Sequence, residues 1–177
     1  MEIFVFMRIL GMGNALTDVL ATLKSDTPIQ EAGLLKGGME LIDAGRLKNI
    51  KRIFASVHTS QACGGSAANA IAGLTRMGVS TGFIGKVGND ELGQFYENNL
   101  IENGVKSHLK KGELDSGCAM TFISPDGERT FGTYLGAAAT LSATDLSDNM
   151  FSGYDLLHIE GYLVQDPHLI RKAVSLA

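Results

Sequence analysis

The chain has 177 residues, 45% of them hydrophobic, and a formal net charge of −4. That length can bury the core of one domain, and the faintly acidic balance, with no basic run beyond a Lys-Lys or Lys-Arg pair, excludes a nucleic-acid or anionic-membrane surface as the main partner. Nothing reaches the roughly 18 unbroken apolar residues of a membrane helix.

In chain order, residues 3–11 are β-branched and aromatic enough for a buried first strand. Glu2 and Arg8 and the lack of a small-residue cleavage site argue against a signal peptide. Residues 16–23 follow a Gly-Met-Gly-Asn turn as a second short strand. Residues 24–62 are polar and glycine-punctuated, with at most a helical turn or two over 42–48, and read as an excursion from the main body. Residues 66–77 predict a small-residue helix stopped by Gly78, residues 80–87 a strand, and residues 91–103 a helix ended by Gly104. The period moves from about 3.6 to about 2 and back, the mark of α/β alternation. Two alternating runs, 117–124 and 128–135, meet at Pro125-Asp126-Gly127, a hairpin signal. Residues 155–162 predict another strand, and Asp166-Pro167 is an N-cap followed by N1 proline. The last helix is still in mid-pattern at Ala177, so the sequence reads as cut.

Chemistry concentrates at Cys63-Gly64-Gly65-Ser66-Ala67-Ala68-Asn69. Two glycines without Cβ atoms would leave their N–H groups bare, and the first turn of the next helix adds unpaired donors at the same spot, which suits a hydroxyl or an anion. The plain alternative is a tight turn with close helix packing. Asp18 can accept two hydroxyl protons from a vicinal diol, or be a solvated turn aspartate. Glu160, flanked by Leu157 and Ile159, is a carboxylate that needs partners if buried and faces water if at a strand end. Arg129, beside the hairpin turn, has the planar fork for phosphate charge, or is simply solvated. Gly85-Lys86 lacks phosphate-loop spacing, and Gly11-Met12-Gly13 has Leu16 where a dinucleotide fingerprint wants glycine. An oxidoreductase is therefore a distant reading. Cys63 and Cys118 with His58, His108, His158 and His168 have no ligand spacing. No metal site is expected, nor a disulfide framework, and the setting expected is reduced and cytoplasmic.

The segment from Gly64 to Gly93, with Met77-Gly78, Phe83-Ile84-Gly85 and Gly88-Asn89-Asp90-Glu91-Leu92-Gly93, resembles the first signature of the ribokinase-like, or pfkB, carbohydrate kinases. Leu10-Gly11-Met12-Gly13-Asn14 through Asp18 resembles that family's opening strand and turn in its adenosine kinase form. The resemblance implies an α/β, ribokinase-like fold: a central, mostly parallel sheet flanked by helices, with a small β lid from about residues 24–62 and 117–135. It implies that Asp18 grips sugar or ribose hydroxyls, with Asn14, Gly64, Gly65, Ser66 and Asn69 completing the pocket, Glu160 contacting the sugar and Arg129 meeting phosphate. Asp18's motif leans to nucleosides and Glu160 to free sugars. Met39 faces the substrate from the lid, or is plain packing.

Members of the family are about twice this length. Their second half carries the catalytic aspartate and most of the ATP and Mg2+ site, so residues 1–177 read as the N-terminal part, inactive alone. The implied activity is ATP-dependent phosphorylation of a primary hydroxyl on a sugar or nucleoside, with ATP and Mg2+ as cofactors and a homodimer through exposed lid strands. The competing reading is a sugar- or nucleoside-binding module without chemistry.

Overall fold

The computed structural model describes residues 7–177. The expected first strand lies partly outside the described residues; what is seen is β1, Arg8–Met12. Main-body strands β5 (Ser80–Gly88), β6 (Lys106–Gly112) and β9 (Leu156–Ile159) join it in a sheet of order β6-β5-β1-β9. Every pairing in that sheet is parallel. β5 is buried almost end to end, as a strand covered on both faces must be. Ile9 and Phe83 pack into α3 (Ser66–Arg76) and α4 (Glu91–Glu102) on one face. Their neighbours Leu10, Met12 and Ile84 pack the other way, against α5 (Asp148–Phe151) and α6 (Pro167–Leu176). Gly11 permits close approach of α3 to the sheet, since a Cβ there would overlap Ile71 of α3.

A second sheet has the order β3-β8-β7-β2-β4, built from β2 (Leu16–Thr22), β3 (Met39–Leu41), β4 (Thr59–Cys63), β7 (Gly117–Ile123) and β8 (Arg129–Tyr134). β2 alternates half-buried and buried positions because one face of the sheet packs on α2 (Ala44–Phe54). Val19, Ala21, Met120 and Phe122 meet Leu47, Ile50 and Phe54 there, together with Ile29 of the short helix α1 (Thr27–Glu31). The other face, carrying Leu16 and Asp18, is left open. This second sheet includes β2 and is backed by an eleven-residue helix, α2, where the sequence suggests only a turn or two. The hairpin forms as expected, with Gly127 at φ +85° and its N–H donating to Ser124 O at 2.8 Å.

Two boundaries differ from expectation. The strand expected over 155–162 ends at Ile159, and residues Gly161–Gln165 form a 3-10 turn instead. Asp166 does cap α6, accepting from His168 N at 2.9 Å and Leu169 N at 3.1 Å. No helix among the described residues is long and apolar enough to cross a membrane.

The chain passes between the two sheets at residues 13–15, 64–65, 113–116 and 135–136. The third passage is fixed by Asp90, the N-cap of α4. Its carboxylate accepts from Ser116 N at 2.8 Å, Ser116 Oγ at 2.6 Å and Gly93 N at 2.8 Å. Burial pushes the Asp90 carboxyl up, but the Ser116 hydroxyl and amide and the Gly93 amide outweigh it and hold it below its usual range. A lowered folded-state value means stability that is present at neutral pH and lost as pH falls below the ordinary carboxylate range. Asp90→Ala is expected to cost about 1–3 kcal/mol, read as a lower urea midpoint at neutral pH. The gap to wild type should shrink on acidification.

Candidate functional site

The two groups on which the sequence reading rests converge. Asp18 stands on the open face of β2, and its carboxylate lies against the Cα of Gly64: a Cβ there would come within 2.7 Å of Oδ1 and 2.9 Å of Oδ2. Only glycine lets the carboxylate and the bend approach so closely. β2 and β4 pair antiparallel, with Asp18 opposite Ala62, which brings the bend at the end of β4 back beside the start of β2. The bend is also held from below, where the buried Tyr96 hydroxyl donates to Gly64 O at 3.0 Å.

One expectation about the bend is corrected. The Gly64 N–H is not bare, because it donates to Leu16 O at 2.7 Å and continues the β2–β4 pairing. The open donors are those of Gly65 and the first turn of α3. Gly65, at φ +91°, is the N-cap and has no side chain to satisfy that turn. Ser66 follows, exposed and on the wall of a cleft of about 540 Å³ between the two sheets. The second sheet contributes Leu16, Met39, Leu41 and Thr133 to this cleft, and the main body contributes Asn14, Glu160 and Leu163.

Glu160 follows the last residue of β9 yet is only 4% exposed. It is a strand-end residue, as one reading had it, but it does not face water. Its carboxylate accepts from Asn14 N at 3.0 Å and Asn14 Nδ2 at 3.4 Å, across 146 residues of sequence. Glu160 N donates to Met12 O at 2.8 Å. Gly13 makes room for this, since a Cβ there would overlap the Glu160 carboxylate. Glu160 thus fixes the first passage between the sheets and orients the Asn14 amide in the cleft wall.

Electrostatically, burial pushes the Asp18 carboxyl up, and the Arg129 guanidinium offsets this only in part. Arg129 is exposed at the start of β8 and does not line the cleft; its side chain leaves the sheet on the same face as Asp18. Burial, with Asp18 adding to it, pushes the Cys63 thiol up to about 12, so Cys63 is no nucleophile at neutral pH.

Asn14, Gly65, Ser66 and Glu160 therefore share the cleft, with Asp18 and Gly64 beside it. Asn69 is not brought to it. It is exposed on α3 and lines a separate groove with Gln61, Arg76 and Asn103. Tyr96 and the wall Ala138, Ala139 and Leu141 are site elements that the sequence reading missed. The small-residue run Gly136-Ala137-Ala138-Ala139 was their one available signal. Chemically, a carboxylate beside free amides and a hydroxyl can accept from and donate to neighbouring hydroxyls of one polyol.

Solved structures share this arrangement of sheets. The adenosine kinase from Sinorhizobium meliloti superposes with a TM-score of 0.79 at 31% identity, over 98% of this chain and 54% of that one. The kinase class is repeated in sequence: the probable fructokinase-7 of Arabidopsis thaliana is 28% identical over 87% of this chain and 46% of its own length. The 5-dehydro-2-deoxygluconokinase 2 of Bacillus cereus is 29% identical over 87% and 47%. Residues 40–173 match the pfkB family carbohydrate kinases, and the chain belongs to that family. It spans about half the length of these relatives.

Proposed function

We propose that these 177 residues are the acceptor-binding part of an ATP-dependent kinase that phosphorylates a primary hydroxyl of a sugar or nucleoside in the cytoplasm. The observation that carries this reading is the Asp18 carboxylate set against Gly64, beside the uncapped first turn of α3 and the lid-covered cleft. Asp18 accepts two hydroxyl protons of the polyol, while the Gly65 and first-turn amides and Ser66 Oγ donate to its oxygens. Glu160 keeps Asn14 facing the ligand. The lid face covers the bound acceptor and excludes water, which phosphoryl transfer requires. Arg129 stands on that face as the cation for a phosphate oxygen.

Mg2+ and ATP do not fit the described residues by themselves. Among these, no three His, Cys, Asp or Glu side chains stand together as metal ligands do, and the Glu160 carboxylate is engaged with Asn14. In this reading the nucleotide and metal are held largely by polypeptide beyond these residues, as is the base that takes the hydroxyl proton. A homodimer through the lid belongs to the same reading, resting on the exposed Met39 and Leu41 and on β4 as a free sheet edge.

Calorimetric titration of the 177-residue protein with ribose, fructose, adenosine and other nucleosides tests it. Saturable binding of one of them is expected, without acceptor-dependent ADP formation. Absence of binding to every one overturns the acceptor assignment; ADP formation by protein of the correct intact mass overturns the division of labour.

A further inference from the structure

The wall of the cleft that faces the lid is not held by regular secondary structure. After β8 the chain runs through the 3-10 turns Gly136–Thr140 and Ala143–Asp145 before reaching α5. Ala138, Ala139 and Leu141 of this stretch line the cleft together with Met39 and Leu41. Short 3-10 turns have poorer hydrogen-bond geometry than an α-helix and need outside support.

The Ala137 N–H donates to Asp115 O at 2.9 Å and Leu141 and Leu146 pack into the core beside α5 and α6, but the side-chain support that spans both turns comes from one cation. Lys86 Nζ, on β5, donates to Asp145 Oδ1 at 3.1 Å, to Asp145 Oδ2 at 3.0 Å and to Thr140 O at 3.1 Å, which uses all three of its N–H groups. Asp145 in turn accepts from Ser142 N at 2.9 Å and Ser142 Oγ at 3.1 Å. Lys86 thus grips the stretch on both sides of Leu141. The side chains of Lys86 and Asp145 are 15% and 17% exposed, whereas both partners of every other described ion pair are at least 28% exposed. An ion pair this sheltered adds little net stability over an apolar pair, but it fixes one arrangement, because either partner left alone is a buried charge.

Resting on the acceptor reading above, we propose that Lys86 and Asp145 are positioning residues: their ion pair clamps the 136–146 wall at the distance from the lid that the acceptor needs. Neither side chain lines the cleft. They act through Thr140, Ser142 and Leu141, and the gap between Leu141 and the lid residues Met39 and Leu41 follows from the clamp.

The test uses the 177-residue protein carrying Lys86→Met, Lys86→Arg or Asp145→Asn, at a temperature where circular dichroism shows each fully folded. Amide hydrogen exchange is followed without ligand, and affinity is measured for those of ribose, fructose, adenosine and the other nucleosides that wild type binds. Lys86→Met is expected to speed exchange over residues 136–146 selectively and to weaken binding roughly tenfold, as a displaced positioning contact does. Asp145→Asn should shift both in the same direction, and Lys86→Arg, which keeps a cation on Asp145, should restore most of each. Faster exchange with affinity within about twofold of wild type makes the pair a mere fold support and overturns the proposal; so does unchanged exchange. If Lys86→Met does not fold, Asp145→Asn decides by the same criteria. A wild-type protein that binds none of the probes sinks the acceptor reading and this proposal with it, whereas a binding wild type with unaltered variants sinks the clamp alone.

Discussion

Asp18→Asn is expected to abolish measurable acceptor binding while leaving the protein as stable as wild type or more so. Each charged hydrogen bond lost from a ligand hydroxyl costs about 1.5–3 kcal/mol, and the proposed geometry gives Asp18 two of them. The stability half follows from the sign of the titration. Burial raises the Asp18 carboxyl above its ordinary value, against the partial offset of Arg129. A raised folded-state value means that Asp18 favours the fold below the ordinary carboxylate range and loses that contribution as pH rises through the raised value. At neutral pH its ionised form therefore works against folding, and the neutral amide does not. Thermal melts across acid to neutral pH should show the variant gaining on wild type as pH rises, and calorimetry at neutral pH should show its binding gone. Retained affinity within about twofold would remove Asp18 from the site. A variant less stable at neutral pH would mean that the carboxylate is a structural partner of the Gly64 bend.

The parts of the fold that were legible in the sequence are those whose local and long-range requirements coincide. β5 is covered on both faces and reads as an apolar run. α3 and α4 lie between glycine stops that the chain uses as such, Gly78 at φ +89° and Gly104 at φ +79°. Where pairing partners decide, the signal was absent. β4 is Thr-Ser-Gln-Ala-Cys and β6 is Lys-Ser-His-Leu-Lys-Lys-Gly, both polar because both are sheet edges exposed to water. α2 hides its face, Leu47, Ile50 and Phe54, among Lys48, Lys51 and Arg52, so a helix that carries the core of the second sheet looked like a linker.

The candidate site divides in the same way. Residue types were readable: a carboxylate, two glycines, a buried glutamate. Their pairings were not. Nothing local says that Glu160 spends its oxygens on Asn14, that Leu16 takes the Gly64 N–H, or that Tyr96 supports the bend from α4. Asn69 shows the limit of motif spacing: although it stands one turn beyond Ser66 on the same helix, it lines a different groove.

Gly65, the N-cap of α3, and Gly73 within that helix separate the demands of the site from those of the helix. Gly65→Ala is expected to destabilise the protein by roughly 3–5 kcal/mol. At φ +91° the backbone is in the region that L side chains rarely adopt, and the new Cβ would overlap the Asn14 carbonyl oxygen. Neither partner can yield cheaply. The Asn14 N–H and side chain are tied to Glu160, and Glu160 N is tied to Met12 O. Moving the bend instead would break the Gly64 pairing with Leu16 and the Tyr96 bond. Gly73, eight residues along the same helix, has ordinary φ and nothing within 4 Å of an added Cβ. Gly73→Ala should therefore stabilise the protein by about 0.5–1 kcal/mol through helix propensity. Denaturant titrations of the two variants against wild type should move in opposite directions. A Gly65→Ala variant within about 1 kcal/mol of wild type would show that the bend relaxes freely, and the rigid donor array required for a polyol would not exist.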